Sequence, residues 1–181
     1  MRLVATEYVS LDGVSEEPGH WSFPFFTEEA ARFKATELEA SDALLLGRKT
    51  YEGFAKAWPT MQGTGEFGVR MNTMPKYVVS STLDTVEWSG SILVKGDVTA
   101  EVRKLKEKPG KDLLLSGSTQ LFNSLMDANL IDVYRLMLHS IVLGKGKRLF
   151  PGSTGERKLE LLGTQAMGTG IIVLEYGPAR S

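Results

Sequence analysis

The stretch Asp42-Ala-Leu-Leu-Leu-Gly-Arg-Lys-Thr-Tyr-Glu-Gly-Phe54 runs from an apolar segment through a glycine into a cationic, helix-like start. Leu44, Leu45 and Leu46 follow one another without polar alternation, as in a central strand covered on both faces. Gly47 permits a sharp turn, after which the free N–H groups of a helix point at whatever lies above the strand end. Arg48, Lys49 and Thr50 add a fork of donors, a point charge and a hydroxyl, a set suited to phosphate. A nucleotide is the first ligand this stretch brings to mind. The same residues also fit a plain strand end, with Gly47 as a stop, Arg48 and Lys49 in water, and Thr50 capping a helix that packs Tyr51 and Phe54 inward.

The chain has 181 residues and 42% hydrophobic content, which fits one domain over 1–181 with a sizeable core. A net charge of −1, with no basic run interleaved with aromatics, argues against nucleic-acid or anionic-membrane partners. The start shows no charged and then apolar leader, and no apolar run approaches spanning length, so a soluble, cytoplasmic protein is expected. With no cysteine there is no disulfide, thiolate nucleophile or zinc–thiolate site. His20 and His139, the two histidines, lie far apart in sequence, so no metal site is expected.

Outward from the leucine run, strand-like segments alternate with helical ones, which predicts an α/β fold. Residues 2–10 alternate around Leu3, Ala5 and Val9 and form the first strand, ending at Asp12-Gly13. Thr27 caps a helix that opens with Glu28 and Glu29 and runs to about Ala40. A long loop is expected over residues 59–75, as a flap or mobile edge. Strands follow at 77–79 and 92–94, then a charged helix at about 99–108 stopped by Pro109-Gly110. Residues 113–115 enter a second strand-to-helix joint at Ser116-Gly117-Ser118, where Ser118 caps a helix with Leu121, Phe122, Leu125 and Met126 on its buried face. A long strand is expected over 131–142, and antiparallel strands at 158–162 and 171–176 complete a mixed sheet.

Gly63-Thr-Gly-Glu-Phe-Gly68 has the spacing of a dinucleotide fingerprint, but Trp58-Pro59 rather than a strand precedes it, so it is rejected. Gly144-Lys-Gly-Lys-Arg148 reads as a solvated basic turn that is also able to touch phosphate. Small polar or cationic groups end three strands, at 47–50, 80–82 and 117–119. Ligands of open α/β sheets bind at the carboxyl ends of strands, so these three ends can converge on one elongated cofactor. Serines at such ends also serve ordinary turns and caps.

In order, Val9-Ser-Leu-Asp-Gly13, Leu44-Leu-Leu-Gly-Arg-Lys-Thr-Tyr-Glu52, Tyr77-Val-Val-Ser-Ser-Thr-Leu83 and Leu113-Leu-Leu-Ser-Gly-Ser-Thr-Gln-Leu121 resemble the dihydrofolate reductase superfamily. More narrowly, with Leu130-Ile-Asp-Val-Tyr134 and Leu143-Gly-Lys-Gly146, the chain resembles the C-terminal reductase domain of the bifunctional riboflavin-biosynthesis deaminase-reductase. The resemblance implies a three-layer fold, a mostly parallel mixed sheet with helices on both faces and antiparallel C-terminal strands, binding NADPH across the strand ends. It places Gly47, Arg48, Lys49 and Thr50 on the phosphate-bearing portion, with Arg48 or Lys49 near the adenosine 2′-phosphate. Ser80, Ser81 and Thr82 flank the adenosine, and Gly117, Ser118, Thr119, Gln120 and Leu121 receive the pyrophosphate. The resemblance implies too that the loop from Ser10 through Asp12 and Gly13 to Trp21 covers the nicotinamide and that the protein is a homodimer, joined through the long strand expected at 131–142.

The same resemblance implies a carboxylate near the start of the first helix to assist protonation. Glu29, four residues before Phe33, holds that place, with Glu28 as the other contender; both also simply favour a helix start. Folate reductases carry an arginine shortly before the Val-Val-Ser-Ser strand, where this chain has Met74-Pro75-Lys76. The expected function is therefore an NADPH-dependent reductase of a small heterocycle or phosphoribosylamino-pyrimidine. Arg32, Lys34, Arg70 and residues 145–148 are candidates for a substrate phosphate. The alternatives are a dihydrofolate or pterin reductase, a non-catalytic nucleotide-binding module, and a flavin or deazaflavin enzyme.

Overall fold

In the computed structural model, which describes residues 1–152, 155–168 and 170–179, the apolar runs become strands of a single eight-stranded sheet. The strands are β1 (Leu3–Ser10), β2 (Ser41–Gly47), β3 (Lys76–Val79), β4 (Ser91–Val94), β5 (Asp112–Ser116), β6 (Val133–His139), β7 (Leu159–Met167) and β8 (Ile171–Pro178). The helices are α1 (Glu28–Glu39), α2 (Arg48–Ala57), α3 (Gly65–Thr73), α4 (Val98–Glu107) and α5 (Thr119–Asp127). The sheet order is β4-β3-β2-β5-β1-β6-β8-β7, with every pair from β4 to β6 parallel and β8 and β7 antiparallel.

The leucine runs are continuous because both faces of the central strands are buried. Ala43, Leu45, Leu113 and Leu115 pack against Val102 and Leu105 of α4 and Leu121, Phe122 and Leu125 of α5. Leu44, Leu46 and Leu114 point the other way, onto Leu38 of α1, Tyr51 of α2 and Met71 of α3. This gives the three-layer arrangement with helices on both faces. Side-chain caps fix three helix starts: Thr27 accepts from the Ala30 N–H, Asp97 from that of Ala100 and Ser118 from that of Leu121.

Two expected elements differ. Residues 59–75 are not an open loop, since α3 occupies Gly65–Thr73. Phe67, Met71 and Met74 recur at helical spacing and pack on the second core, which outweighs the low helix propensity of Gly65 and Gly68. The strand expected at 131–142 is only Val133–His139, because Asp132 turns out to accept from the Leu3 N–H at 2.7 Å and the chain leaves the sheet at Ser140. That strand is paired on both edges, with β1 and β8, so subunits cannot join edge to edge through it.

The topology marks out a candidate site. The chain leaves β2 through α2 and α3 toward β3, over one face, and leaves β5 through α5 toward β6, over the other. Connections that diverge in this way open a crevice outside the carboxyl ends of the two adjacent strands, here β2 and β5. No helix among the described residues is long and apolar enough to cross a membrane.

Candidate active site

The crevice is narrow because two of its walls are glycines. A Cβ on Gly47, at the end of β2, would stand 2.4 Å from both Cβ and Oγ of Ser118. A Cβ on Gly117 would stand 2.9 Å from Thr50 Oγ1, and Gly117 also has φ +72°. Ser118 itself has φ 73°, a conformation uncommon for a residue with a side chain, and its hydroxyl caps α5 at the Leu121 N–H (3.3 Å). The two strand-to-helix joints thus pack directly against each other, an approach that only glycine permits, and this brings the starts of α2 and α5 side by side.

Helix α2 opens at Gly47 with no side-chain cap, so its first N–H groups remain available to a ligand. Arg48 is half-buried and its Nη1 donates to Glu52 at 3.0 and 3.2 Å, an exposed pair whose rearrangement costs little. Lys49 is exposed and Thr50 faces Gly117. At α5, Leu121 contributes its side chain to the core and its N–H to Ser118, leaving Thr119 and Gln120 at the crevice. Thr119 and Gln120 line an open cleft of about 660 Å³ with Asn123, Lys147 and Arg148. At the end of β3 the buried Ser80 hydroxyl accepts from the Thr82 and Leu83 N–H groups (3.1 and 3.0 Å), so it serves the turn; Ser81 and Thr82 are exposed.

The loop after β1 is laced to the segment after β6. Ser10 Oγ donates to Asp12 (2.6 Å), and the Asp12 carboxylate accepts from the Leu143 and Gly144 N–H groups (3.1 and 2.8 Å). These bonds, the serine hydroxyl first, hold the Asp12 carboxyl down to about 2. Gly13 has φ +84°, and its carbonyl accepts from Leu149 N (2.9 Å). Trp21 donates from Nε1 to Glu16 O (2.9 Å) and sets its ring edge-on to His139, with ring centres 5.2 Å apart. Tyr8 and Phe25 complete an aromatic box around that imidazole. Burial pulls His139 below its ordinary value, and its Nδ1 lies 2.7 Å from Met137 O, so the neutral ring donates there.

The acids divide sharply by environment. Glu29 Oε2 accepts from the Gly168 N–H (3.1 Å) in the β7–β8 turn, beside the small core of Ala30, Met137, Met167 and Ile171. Glu28 is exposed and pairs with Arg32, at 3.7 Å. A third acid, Glu7, was not singled out by the motifs. It is buried on β1, one oxygen accepting from Ser15 Oγ at 3.3 Å. Burial pushes its carboxyl up to about 8. The available signal was an acid at the inward position of an otherwise apolar alternation, Leu3, Ala5, Glu7, Val9.

Two candidates for a substrate phosphate are occupied elsewhere. Lys34, largely covered, donates to Glu37 and Thr6, and Glu37 also accepts from Arg135 Nη1 (2.9 Å), whose Nε donates to Glu175 (2.5 Å). Arg70 donates to the Leu38 carbonyl (3.0 Å) and to that of Ser41, tying α3 to the α1–β2 connection. Arg32 is exposed, and Lys147 and Arg148 border the cleft beside α5. Lys76, at the place of the folate-gripping arginine, is fully buried; its ammonium donates to the Met74 and Ser89 carbonyls (2.7 and 2.8 Å) over the Trp88 ring.

Residues 2–173 match the family model of the RibD C-terminal domain. The chain belongs to that family. The YyaP protein of Bacillus subtilis (strain 168) is 30% identical over 142 residues, 77% of this chain and 75% of that one. A protein assigned to riboflavin biosynthesis from Shewanella sp. PV-4 superposes with a TM-score of 0.78 at 20% identity, covering 99% of this chain and 100% of that one. Dihydrofolate reductase from Enterococcus faecalis, complexed with NADP(H) and RAB-propyl, superposes with a TM-score of 0.66 at 18% identity over 99% and 97% of the two chains. The fold of this RibD C-terminal domain is thus dihydrofolate reductase-like, and family and fold together point to a reductase.

Proposed function

We propose that this RibD C-terminal domain protein is an NADPH-dependent reductase, soluble and cytoplasmic, that carries hydride to a C=N or C=O carbon of a small heterocyclic substrate. The observation that carries the reading is the close, glycine-permitted packing of the two joints, Gly47 on Ser118 and Gly117 on Thr50, which sets two helix starts side by side. Paired helix starts turn backbone N–H groups toward a common pyrophosphate above the strand ends, and both helix dipoles favour its charge. The residues present therefore fit the cofactor. NADPH supplies the hydride when bound.

The chain's own work is binding, orientation and proton placement. Gly47, Thr50, Gly117, Ser118, Thr119 and Gln120 would hold the pyrophosphate. Arg48, with Lys49, would meet the 2′-phosphate, and Ser81 and Thr82 the adenosine side. The laced loop from Ser10 to Trp21 would exclude water from the reacting ring. Glu29, fixed by the Gly168 N–H, would assist protonation of the acceptor, directly or through water. Arg48→Ala should weaken NADPH by about tenfold, the size of a charge-assisted bond, and leave NADH almost unchanged; paired calorimetric titrations check this. Equal losses would move Arg48 away from the 2′-phosphate. With an acceptor in hand, Glu29→Gln should lower turnover by about a hundredfold at unchanged NADPH affinity, whereas full turnover would leave Glu29 as a helix-start residue.

A phosphoribosylamino-pyrimidine of the riboflavin type is favoured over folate by two observations. Lys147 and Arg148 border an open cleft beside the start of α5, ready for a substrate phosphate. Lys76 and Arg70, the cations nearest in sequence to the folate-gripping position, are bound to backbone carbonyls. The homodimer implied by the family resemblance would use the outer strands, where Leu161, Leu162 and Ile172 are exposed.

A further inference from the structure

Glu7 shares the face of β1 that packs under α5, between Ala5 and Val9, and is 4% exposed. Its oxygen Oε1 is buried with no hydrogen-bond partner among the described residues, while the other oxygen accepts from Ser15. A buried polar atom in that state costs free energy, and a ligand that supplied the missing partner would recover it.

Its position in the sheet says which ligand. The last pair between β1 and β5 is Thr6 with Ser116, so Glu7 is the first residue of β1 beyond the end of β5. The next residues after β5 are Gly117 and Ser118, the joint beside the proposed phosphate site. From Glu7 to Ser10, four residues or about 13 Å, β1 has only β6 beside it. A ligand seated by its phosphates above the two joints therefore has two unlike neighbourhoods. Toward β3 it meets Arg48, Ser81 and Thr82, in contact with water. Toward β1 it meets buried Glu7 and the laced loop, a dry setting that suits the ring exchanging hydride.

Resting on the reading under Proposed function, we infer that Glu7 recognises the carboxamide of the nicotinamide ring through Oε1. Burial keeps the carboxyl protonated near neutral pH, against the opposing pull of the Ser15 hydroxyl and the Lys34 ammonium. Ser15 donates to one oxygen, so the proton sits on Oε1, a donor in need of an acceptor. The carboxamide oxygen is such an acceptor. Glutamine keeps an N–H donor at this point, and leucine removes it at similar size.

The test compares two probes by calorimetry on the full chain: NADPH, and 2′-phospho-ADP-ribose, which has the same phosphates and no nicotinamide. Glu7→Leu should weaken NADPH about tenfold and leave 2′-phospho-ADP-ribose within about twofold, while Glu7→Gln retains most of the NADPH affinity. Leucine joins an apolar face there, and a thermal melt no lower than wild type shows that it folds. Equal NADPH affinity in wild type and Glu7→Leu, or equal loss for both probes, would overturn the assignment while sparing the cofactor reading. Wild type that binds neither probe overturns both. Should the leucine variant fail to fold, Glu7→Met, a second side chain of similar size without a donor, takes its place: a loss confined to NADPH supports the assignment, and unchanged affinity or equal loss for both probes overturns it.

Discussion

Gly47→Ala should weaken NADPH binding by about a hundredfold or more in a protein that still folds. The backbone at Gly47, with φ −76° and ψ 159°, is one any residue adopts, so the added methyl brings no conformational strain of its own. Its effect is steric. It would sit 2.4 Å from Ser118 Cβ and Oγ, and a contact that short forces the β2 and β5 joints apart. Ser118 cannot turn aside freely, because its left-handed backbone and its cap on Leu121 are set by the start of α5. The overpacking should cost roughly 1–3 kcal/mol of stability, a thermal shift of about 2–12 °C, while the ligand loses the aligned N–H groups of both helices. Calorimetry and a melting curve on the same sample separate the two effects. Unchanged NADPH affinity would show that the joint contact is packing and not part of a binding site.

Glu37→Ala should destabilise the protein by about 3–5 kcal/mol, the largest loss expected from any single charge removal here. The Glu37 carboxylate is buried on α1 between Lys34, whose side chain is 13% exposed, and Arg135 of β6. Its removal leaves the Lys34 ammonium without its carboxylate partner, held by the Thr6 hydroxyl (3.2 Å) and lying over the Tyr8 ring. Burial alone would raise the Glu37 carboxyl, but Lys34 and Arg135 outweigh it and hold it below its ordinary range. The native state therefore binds that proton less readily than the unfolded chain. The stabilisation is complete above the ordinary carboxylate range and is lost as pH falls through the lowered value. Urea unfolding at neutral and acid pH should show a wild type that loses this increment on acidification and a variant that lacks it throughout. A loss below about 1 kcal/mol, or the same acid dependence in both, contradicts the network.

The leucine runs, the serine and threonine caps and the two glycine joints were legible because each is a local pattern: period, cap residue, turn residue. From them the α/β order and the converging strand ends follow. Helix α3 was hidden by two glycines whose propensity was overridden by the packing of Phe67, Met71 and Met74. The fates of the cations depended on partners far along the chain. Arg135 reaches Glu37 across 98 residues and Arg70 reaches the Leu38 carbonyl across 32, so neither pairing has a local signature. Ser80 illustrates the limit of residue type: a hydroxyl at a strand end serves its own turn as readily as a ligand. Glu7 had a signature in the alternation of β1, but its meaning required the register that ends β5 at Ser116.

If the β2–β5 crevice is a nicotinamide-dinucleotide site selective for the 2′-phosphate, calorimetric titration of the wild-type protein with NADPH and with NADH should show it. The expected result is saturable binding of NADPH at one site per chain, at least about tenfold tighter than NADH. No heat from either nucleotide, in a protein whose melting curve shows it folded, would contradict it and turn attention to flavins or to a non-catalytic role for the crevice.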